Sequence, residues 1–80
     1  MNNRIYKYNA PIDIVTSELM KAIAKHPVFP SNADGLAIIA EEMLELTRAV
    51  NDKECEERLI EEAAHVAVTA IRFIQTIVDK

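Results

Sequence analysis

The 80-residue sequence has one cysteine, one glycine and no tryptophan, and aromatic residues make up only 5% of it. A lone cysteine, Cys55, cannot form an intrachain disulfide, which makes a reducing cytoplasm the expected compartment. Scarce glycine and aromatic residues disfavour a sheet with tight turns. The sequence has no run of about 18 consecutive apolar residues, so we expect no membrane-spanning helix. Basic residues are not in excess, since the net charge is -4, and binding to long nucleic acid is not expected.

Apolar residues, in contrast, make up 50% of the chain and recur at helical spacing. The pattern predicts a single all-α domain over residues 1–80, with helices at about 11–25, 32–50 and 54–78. Pro11 suits the first turn of the first helix, and the prolines of "HPVFPS", where His26 precedes the first, predict an extended connector. Ser31 followed by Asp34 predicts a capped start for the second helix.

The third helix is apolar on two sides. One stripe contains Leu59, Ala63, Val66, Ala70, Phe73 and Ile77, and a second contains Ile60, Ala67, Ile71, Ile74 and Val78. A three-helix monomer would cover both with difficulty. We therefore expect helices two and three to pair with the same helices of another subunit, forming a dimer or tetramer with a four-helix-bundle core.

The segment "AEEMLEL" places Glu41, Glu42 and Glu45 in an otherwise apolar helix. None of them has a lysine or arginine four residues later, as a helical face stabilised by ion pairs usually would. Glu42 and Glu45 are one helical turn apart, as are Glu62 and His65, so each pair can point at one ion. Carboxylates between apolar stripes indicate a divalent cation, although a solvent-exposed polar face is the alternative.

The motifs "EEMLE" and "EEAAH" resemble the EExxE and ExxD signature of the MazG-like, all-α nucleoside triphosphate pyrophosphohydrolases. The similarity covers more than half of the chain, in "HPVFPSNADGLAIIAEEMLELTRAV" and "LIEEAAHVAVTAIRFIQTIV". It implies Mg²⁺ binding and cleavage of a (deoxy)nucleoside triphosphate to monophosphate and pyrophosphate. It also implies that Glu42, Glu45 and Glu62 are metal ligands, with Glu41 either a ligand or the base that activates water.

The sequence departs from this signature at His65, where the family has aspartate. Mg²⁺ prefers oxygen ligands, so a histidine there would suit Mn²⁺, Zn²⁺ or Fe²⁺ better. Three other roles stay open for His65: contact with a phosphate or with the attacking water, a purely structural role, or a site that has lost catalysis.

Other residues have two possible roles each. Polar residues of the third helix recur three or four positions apart and form one narrow polar stripe: Arg58, Glu62, His65, Thr69, Arg72 and Thr76. Arg72, ten residues after Glu62 on this stripe, and Arg48, beside Glu45, are candidates to bind substrate phosphates, and Arg72 is preferred. An exposed or intersubunit arginine is the ordinary alternative for both. Phe29 either lines a nucleobase pocket or plugs the core at the helix ends. Lys21 and Lys25 are expected on an exposed face of the first helix.

Two further function classes stay open. One is a non-catalytic helical module for oligomerisation or nucleotide sensing. The other is a ferritin-like di-iron protein, because Glu-x-x-His on a bundle helix facing another glutamate is also a di-iron ligand set. The short loop between helices two and three, the lack of two of the usual four bundle helices per chain and a poorer match of the flanking sequence disfavour the di-iron class.

Overall fold

The computed structural model describes residues 10–25 and 28–79. These residues form three α-helices and no strand: α1, Pro11–Lys25; α2, Asn32–Asn51; and α3, Glu56–Val78. The prediction of an all-α chain with three helices is confirmed. α3 begins at Glu56, two residues after the start expected from the sequence. His26, in the expected connector, lies outside the described residues.

The starts of α1 and α2 follow from local sequence. Pro11 is the first residue of α1, where its missing N–H costs no helical hydrogen bond. Ser31 caps α2: its side-chain oxygen accepts from the Asp34 N–H at 3.1 Å, and its hydroxyl donates to Asp34 Oδ2 at 2.8 Å. The predicted cap is therefore confirmed. α2 ends at Asn51, and Lys53 in the following turn adopts a left-handed φ of 55° and donates its N–H to the Val50 carbonyl.

The connector and the two longer helices meet at Gly35, a buried residue of α2. A Cβ added to Gly35 would lie 2.7 Å from Phe73 Cδ1 and 2.9 Å from Phe29 Cδ2. Phe29 is itself buried, and its N–H donates to Thr76 Oγ1 at 2.9 Å. The glycine thus lets two aromatic rings approach the α2 backbone, and Phe29 takes the core position that was one of its two expected roles.

α3 is the central helix of the described structure. Both α1 and α2 pack against α3, whereas the backbones of α1 and α2 lie apart from each other. The Cα trace measures 44 × 27 × 16 Å, so the three helices form a single layer. Large apolar side chains are consequently exposed, and on the second stripe of α3 Ile74 and Val78 are 59% and 69% accessible. No described helix has the length and apolar character needed to cross a membrane.

The polar stripe of α3 is the part of that helix most deeply covered. The buried polar residues of the described chain all lie on it: Glu62, Thr69, Arg72 and Thr76. For these four residues the alternative of a solvent-exposed polar face is wrong. The packing therefore encloses polar groups beside a small apolar core of Phe29, Ala49, Ala64 and Val68, while several large apolar side chains stay exposed.

Candidate metal centre

Glu42 of α2 meets Glu62 and His65 of α3, and one possible ligand atom from each lies within 4.8 Å of the other two. His65 Nδ1 is 3.6 Å from Glu62 Oε1 and 3.7 Å from Glu42 Oε1. Two ligands about 2.1 Å from one tetrahedral metal are roughly 3.4 Å apart. The distances from Nδ1 to the two carboxylates are thus within a few tenths of an ångström of the spacing that a shared ion requires, and the two carboxylate oxygens lie within 4.8 Å of each other.

Helix geometry explains why these residues meet. The short connection between α2 and α3 makes the helices an antiparallel pair. Glu42 lies nine residues before the last residue of α2, Asn51, and His65 lies nine residues after the first residue of α3, Glu56. At about 1.5 Å per residue, both are therefore some 14 Å from the turn and level with each other. Glu62 is one helical turn from His65, so it shares the same face.

Glu62 is the most buried member, with its side chain 2% exposed. Its Oε2 accepts from Arg58 Nη2 at 2.7 Å. Arg58 stands four residues before Glu62 on the same helix, so this carboxylate does have a compensating cation. The other oxygen, Oε1, is buried without a hydrogen-bond partner and faces His65. An unpaired buried carboxylate oxygen is costly unless a proton or cation approaches it.

The surroundings of Glu42 also disfavour its charged form. Burial raises the pKa of its carboxyl group above the ordinary value, and the neighbouring charges of Glu45, Glu62 and Glu41 raise this pKa further. His65 acts in the opposite direction. The negative charges around Glu42 therefore favour neutralisation by a proton or by a bound cation.

A third helix also reaches the cluster, through a residue that the sequence did not single out. Glu18 of α1 places Oε1 3.7 Å from His65 Nε2, while its Oε2 lies 3.2 Å from Lys21 Nζ. A cavity of about 230 Å³ is lined by Glu18, Lys21, Ala22, Lys25 and His65. No local pattern on α1 could reveal this contact, because it depends on how α1 packs against α3.

Glu41 and Glu45, the other predicted carboxylates, are exposed and lie outside the 4.8 Å group. Glu45 borders a second cavity, of about 140 Å³, whose lining also includes Arg48, Arg58 and Glu62. The structure thus brings Glu45 and Arg48 beside the buried carboxylate without joining them to the ligand cluster.

Arg72, the preferred phosphate-binding candidate, is buried and holds its guanidinium carbon 4.4 Å from the centre of the Phe29 ring. Burial lowers the pKa of this guanidinium, which stays protonated at neutral pH. Arg72 and Phe29 also line a cavity of about 420 Å³ with Asp34 and Ile38. Arg72 therefore packs at the connector end of α3 rather than within the ligand cluster.

The chemistry of the three side chains bears on which ions they could hold. Two carboxylates and one imidazole nitrogen suit Mn²⁺, Fe²⁺ or Zn²⁺, whereas Mg²⁺ favours oxygen ligands alone. The orphaned Glu62 Oε1 and the spacing of the three groups are both consistent with a divalent transition metal.

Comparisons of the chain with protein-family models, curated proteins and solved structures found no match. The similarity to MazG-like enzymes therefore stays a prediction from the two motifs, and a functional proposal depends on the geometry of the site.

Proposed function

We propose that this chain is a metal-dependent nucleoside triphosphate pyrophosphohydrolase, converting a (deoxy)nucleoside triphosphate and water to the monophosphate and pyrophosphate. The observation that supports this most is the meeting of Glu42 on α2 with Glu62 and His65 on α3. It joins the two motifs on which the MazG-like resemblance rests. The orphaned oxygen of Glu62 gives independent support for a cation at this point.

Glu42, Glu62 and His65 would hold the ion, which when bound neutralises phosphate charge and lowers the pKa of the attacking water. Glu41 is exposed beside Glu42 and is the proposed base that takes a proton from this water. The water oxygen forms a bond to the α-phosphorus, and the bond from that phosphorus to the bridging oxygen breaks. Pyrophosphate then leaves with the bonding electron pair. Glu45, also exposed, is available for a second ion.

His65 bears on the choice of metal. The family resemblance implies Mg²⁺, but an imidazole ligand makes Mn²⁺ the better match among ions that also bind triphosphates. We therefore expect higher turnover with Mn²⁺ than with Mg²⁺.

Arg48 is better placed than Arg72 to bind substrate phosphates. Arg48 is exposed and borders the same opening as Glu45 and Glu62. Arg72 is covered by its packing against Phe29. A phosphate beside the carboxylate cluster could therefore be reached by Arg48 without unpacking the core.

The proposed enzyme is a homo-oligomer in which α2 and α3 pair with the same helices of a second subunit. The single-layer arrangement supports this, because it leaves Ile71, Ile74 and Val78 of the second apolar stripe of α3 exposed. Leu36, Met43, Leu44 and Val50 of α2 are also largely exposed. The expected mass in solution is a multiple of 9.0 kDa, measurable by sedimentation equilibrium.

The test is pyrophosphate release from a panel of ribo- and deoxyribonucleoside triphosphates, with Mg²⁺ and with Mn²⁺. We expect turnover that Glu42→Gln reduces on the order of 100-fold, the effect of losing one electrostatic stabiliser at a reacting centre. Glu61→Gln is the matched control, since Glu61 is an exposed α3 glutamate next to Glu62. No turnover with any combination, or full turnover by Glu42→Gln, would refute the proposal.

A non-catalytic helical module for oligomerisation or nucleotide sensing is the second candidate. One observation favours it: the ion pair of Arg58 with Glu62 compensates half of the buried carboxylate without any metal. Under this alternative the Glu42→Gln and Glu62→Gln variants keep full function. A di-iron role would instead show as iron uptake and ferroxidase activity after anaerobic loading.

A further inference from the structure

We infer that Glu18 is a positioning residue of the metal centre: it accepts the Nε2–H of His65 and so presents the Nδ1 lone pair to the ion. This inference rests on the metal site of the proposed function, but not on the reaction proposed for it. It extends the site from two helices to three, because Glu18 belongs to α1.

The two ring nitrogens of His65 have different surroundings. Nε2 faces one carboxylate oxygen, Glu18 Oε1, at 3.7 Å, whereas Nδ1 faces two, from Glu42 and Glu62, at 3.7 and 3.6 Å. A neutral imidazole carries one N–H, and its partner decides which nitrogen bears it. With the proton on Nε2, Nδ1 and two carboxylate oxygens converge with no hydrogen between them. That is the donor arrangement a divalent cation requires.

Metal-binding histidines generally use both ring nitrogens. The ring nitrogen that does not bind the ion generally donates its N–H to a carboxylate or carbonyl, which fixes the tautomer and the ring orientation. Glu18 Oε1 is a few tenths of an ångström beyond hydrogen-bond distance, so a small side-chain rotation would complete the bond. Lys21 engages the other oxygen, Oε2, and this leaves Oε1 turned toward His65.

An independent observation shows that the Nδ1 side is the one prepared for a ligand. Glu62 is 2% exposed, and its Oε1 is buried with no hydrogen-bond partner at 3.6 Å from Nδ1. The Nε2 side instead opens into the cavity lined by Lys21 and Lys25. The burial of the orphaned oxygen therefore assigns the ion to Nδ1.

The contact has a consequence for α1. No residue of α1 is fully buried, and within the described chain the α1 backbone approaches α3 but not α2. Glu18 therefore links α1 to the metal site through His65. Metal binding should stabilise the docked position of α1, because only the docked helix can place Glu18 against Nε2.

The test uses the full chain carrying Cys55→Ser, which removes the exposed thiol as a competing ligand. With Zn²⁺ bound, ¹⁵N chemical shifts of the imidazoles report which nitrogen is coordinated, and His26→Gln assigns the second histidine. We expect coordination by Nδ1 and a protonated Nε2. Coordination by Nε2, or no shift of either nitrogen, would overturn the inference without any further variant.

Zn²⁺ affinity and amide hydrogen exchange in α1 give the second readout. Glu18→Ala should weaken Zn²⁺ binding about 10- to 100-fold, the usual effect of losing the partner of a ligating histidine. Glu18→Gln should stay within a few-fold, since its amide oxygen can accept the same N–H. Asp13→Ala, which removes another α1 carboxylate, is the control. Zn²⁺ should also slow amide hydrogen exchange in α1, and Glu18→Ala should abolish that change.

Equal Zn²⁺ affinity of Glu18→Ala and Asp13→Ala would contradict the role of Glu18. This failure differs from failure of the proposed function: a chain that coordinates Zn²⁺ through Nδ1 yet releases no pyrophosphate supports the inference and refutes the enzyme. A chain that releases pyrophosphate but whose Zn²⁺ affinity is unchanged by Glu18→Ala supports the enzyme and refutes the inference.

Discussion

Glu62→Gln is the substitution that best separates a metal centre from a buried ion pair. The change keeps the shape of the side chain but removes its charge. In the metal-free protein the substitution has two opposing effects on stability. It weakens the ion pair with the half-exposed Arg58, which is destabilising, and it removes the buried negative charge next to the unpaired Oε1, which is stabilising. We expect the free energy of unfolding to change by no more than about 1 kcal/mol.

With a bound ion, the unsubstituted protein should become more stable than Glu62→Gln. A ligand that binds only the native state at 100 times its dissociation constant stabilises it by about 2.7 kcal/mol. For a chain of this length that corresponds to a rise in Tm of roughly 10 to 20 °C. Glu62→Gln loses a negatively charged ligand and should show little of this rise. The two proteins should therefore have similar Tm values in EDTA and clearly different values in Mn²⁺.

Glu61→Gln provides the matched control. Glu61 neighbours Glu62 on α3 and also binds Arg58, with Oε1 2.6 Å from Nη1, but its side chain is 50% exposed. This variant loses the same charge without touching the cluster, so it should keep the full metal-dependent rise. Thermal unfolding followed by circular dichroism, with and without Mn²⁺ or Zn²⁺, measures all three proteins. Equal metal-dependent shifts in Glu62→Gln and Glu61→Gln would refute the assignment of Glu62 as a ligand.

Two further outcomes follow from the packing and from the charges. Gly35→Ala should lower the free energy of unfolding by about 1–2 kcal/mol: overpacking against the Phe73 and Phe29 rings, at 2.7 and 2.9 Å, outweighs the roughly 1 kcal/mol of helix propensity gained. A stabilised variant in urea unfolding would show that the rings move aside. In EDTA, the raised pKa of Glu42 makes its contribution to stability fully present below the unfolded pKa of about 4.3. This contribution is lost as pH rises through the folded pKa, so Glu42→Gln should flatten that part of the stability profile, and an unchanged profile would contradict the reasoning.

Much of the fold was predictable because its signals are local. Pro11 opens α1 and Ser31 caps α2, each through atoms within four residues of it. Apolar spacing then identified three helices without reference to their packing. The start of α3 was placed two residues early, since Cys55 precedes it without a side-chain capping bond that the sequence could signal.

Part of the candidate site was also predictable from local sequence, and part depended on packing. Helical periodicity alone places Glu62 and His65 on one face, and the short turn between α2 and α3 brings Glu42 level with them. The sequence could not show that the polar stripe of α3 is covered, because burial depends on which face the neighbouring helices meet. It also gave no reason to choose Glu42 over Glu45 as the nearer carboxylate.

The sequence by itself therefore determined the helices and the pairing of the two motifs, because both depend on the backbone period and on residues close along the chain. Only the tertiary structure decided that the Glu62 side chain is 2% exposed, and that Gly35 admits two aromatic rings. It alone brought Glu18 to His65, 47 positions away. That contact depends on how α1 packs against α3, and no local pattern of residues encodes it.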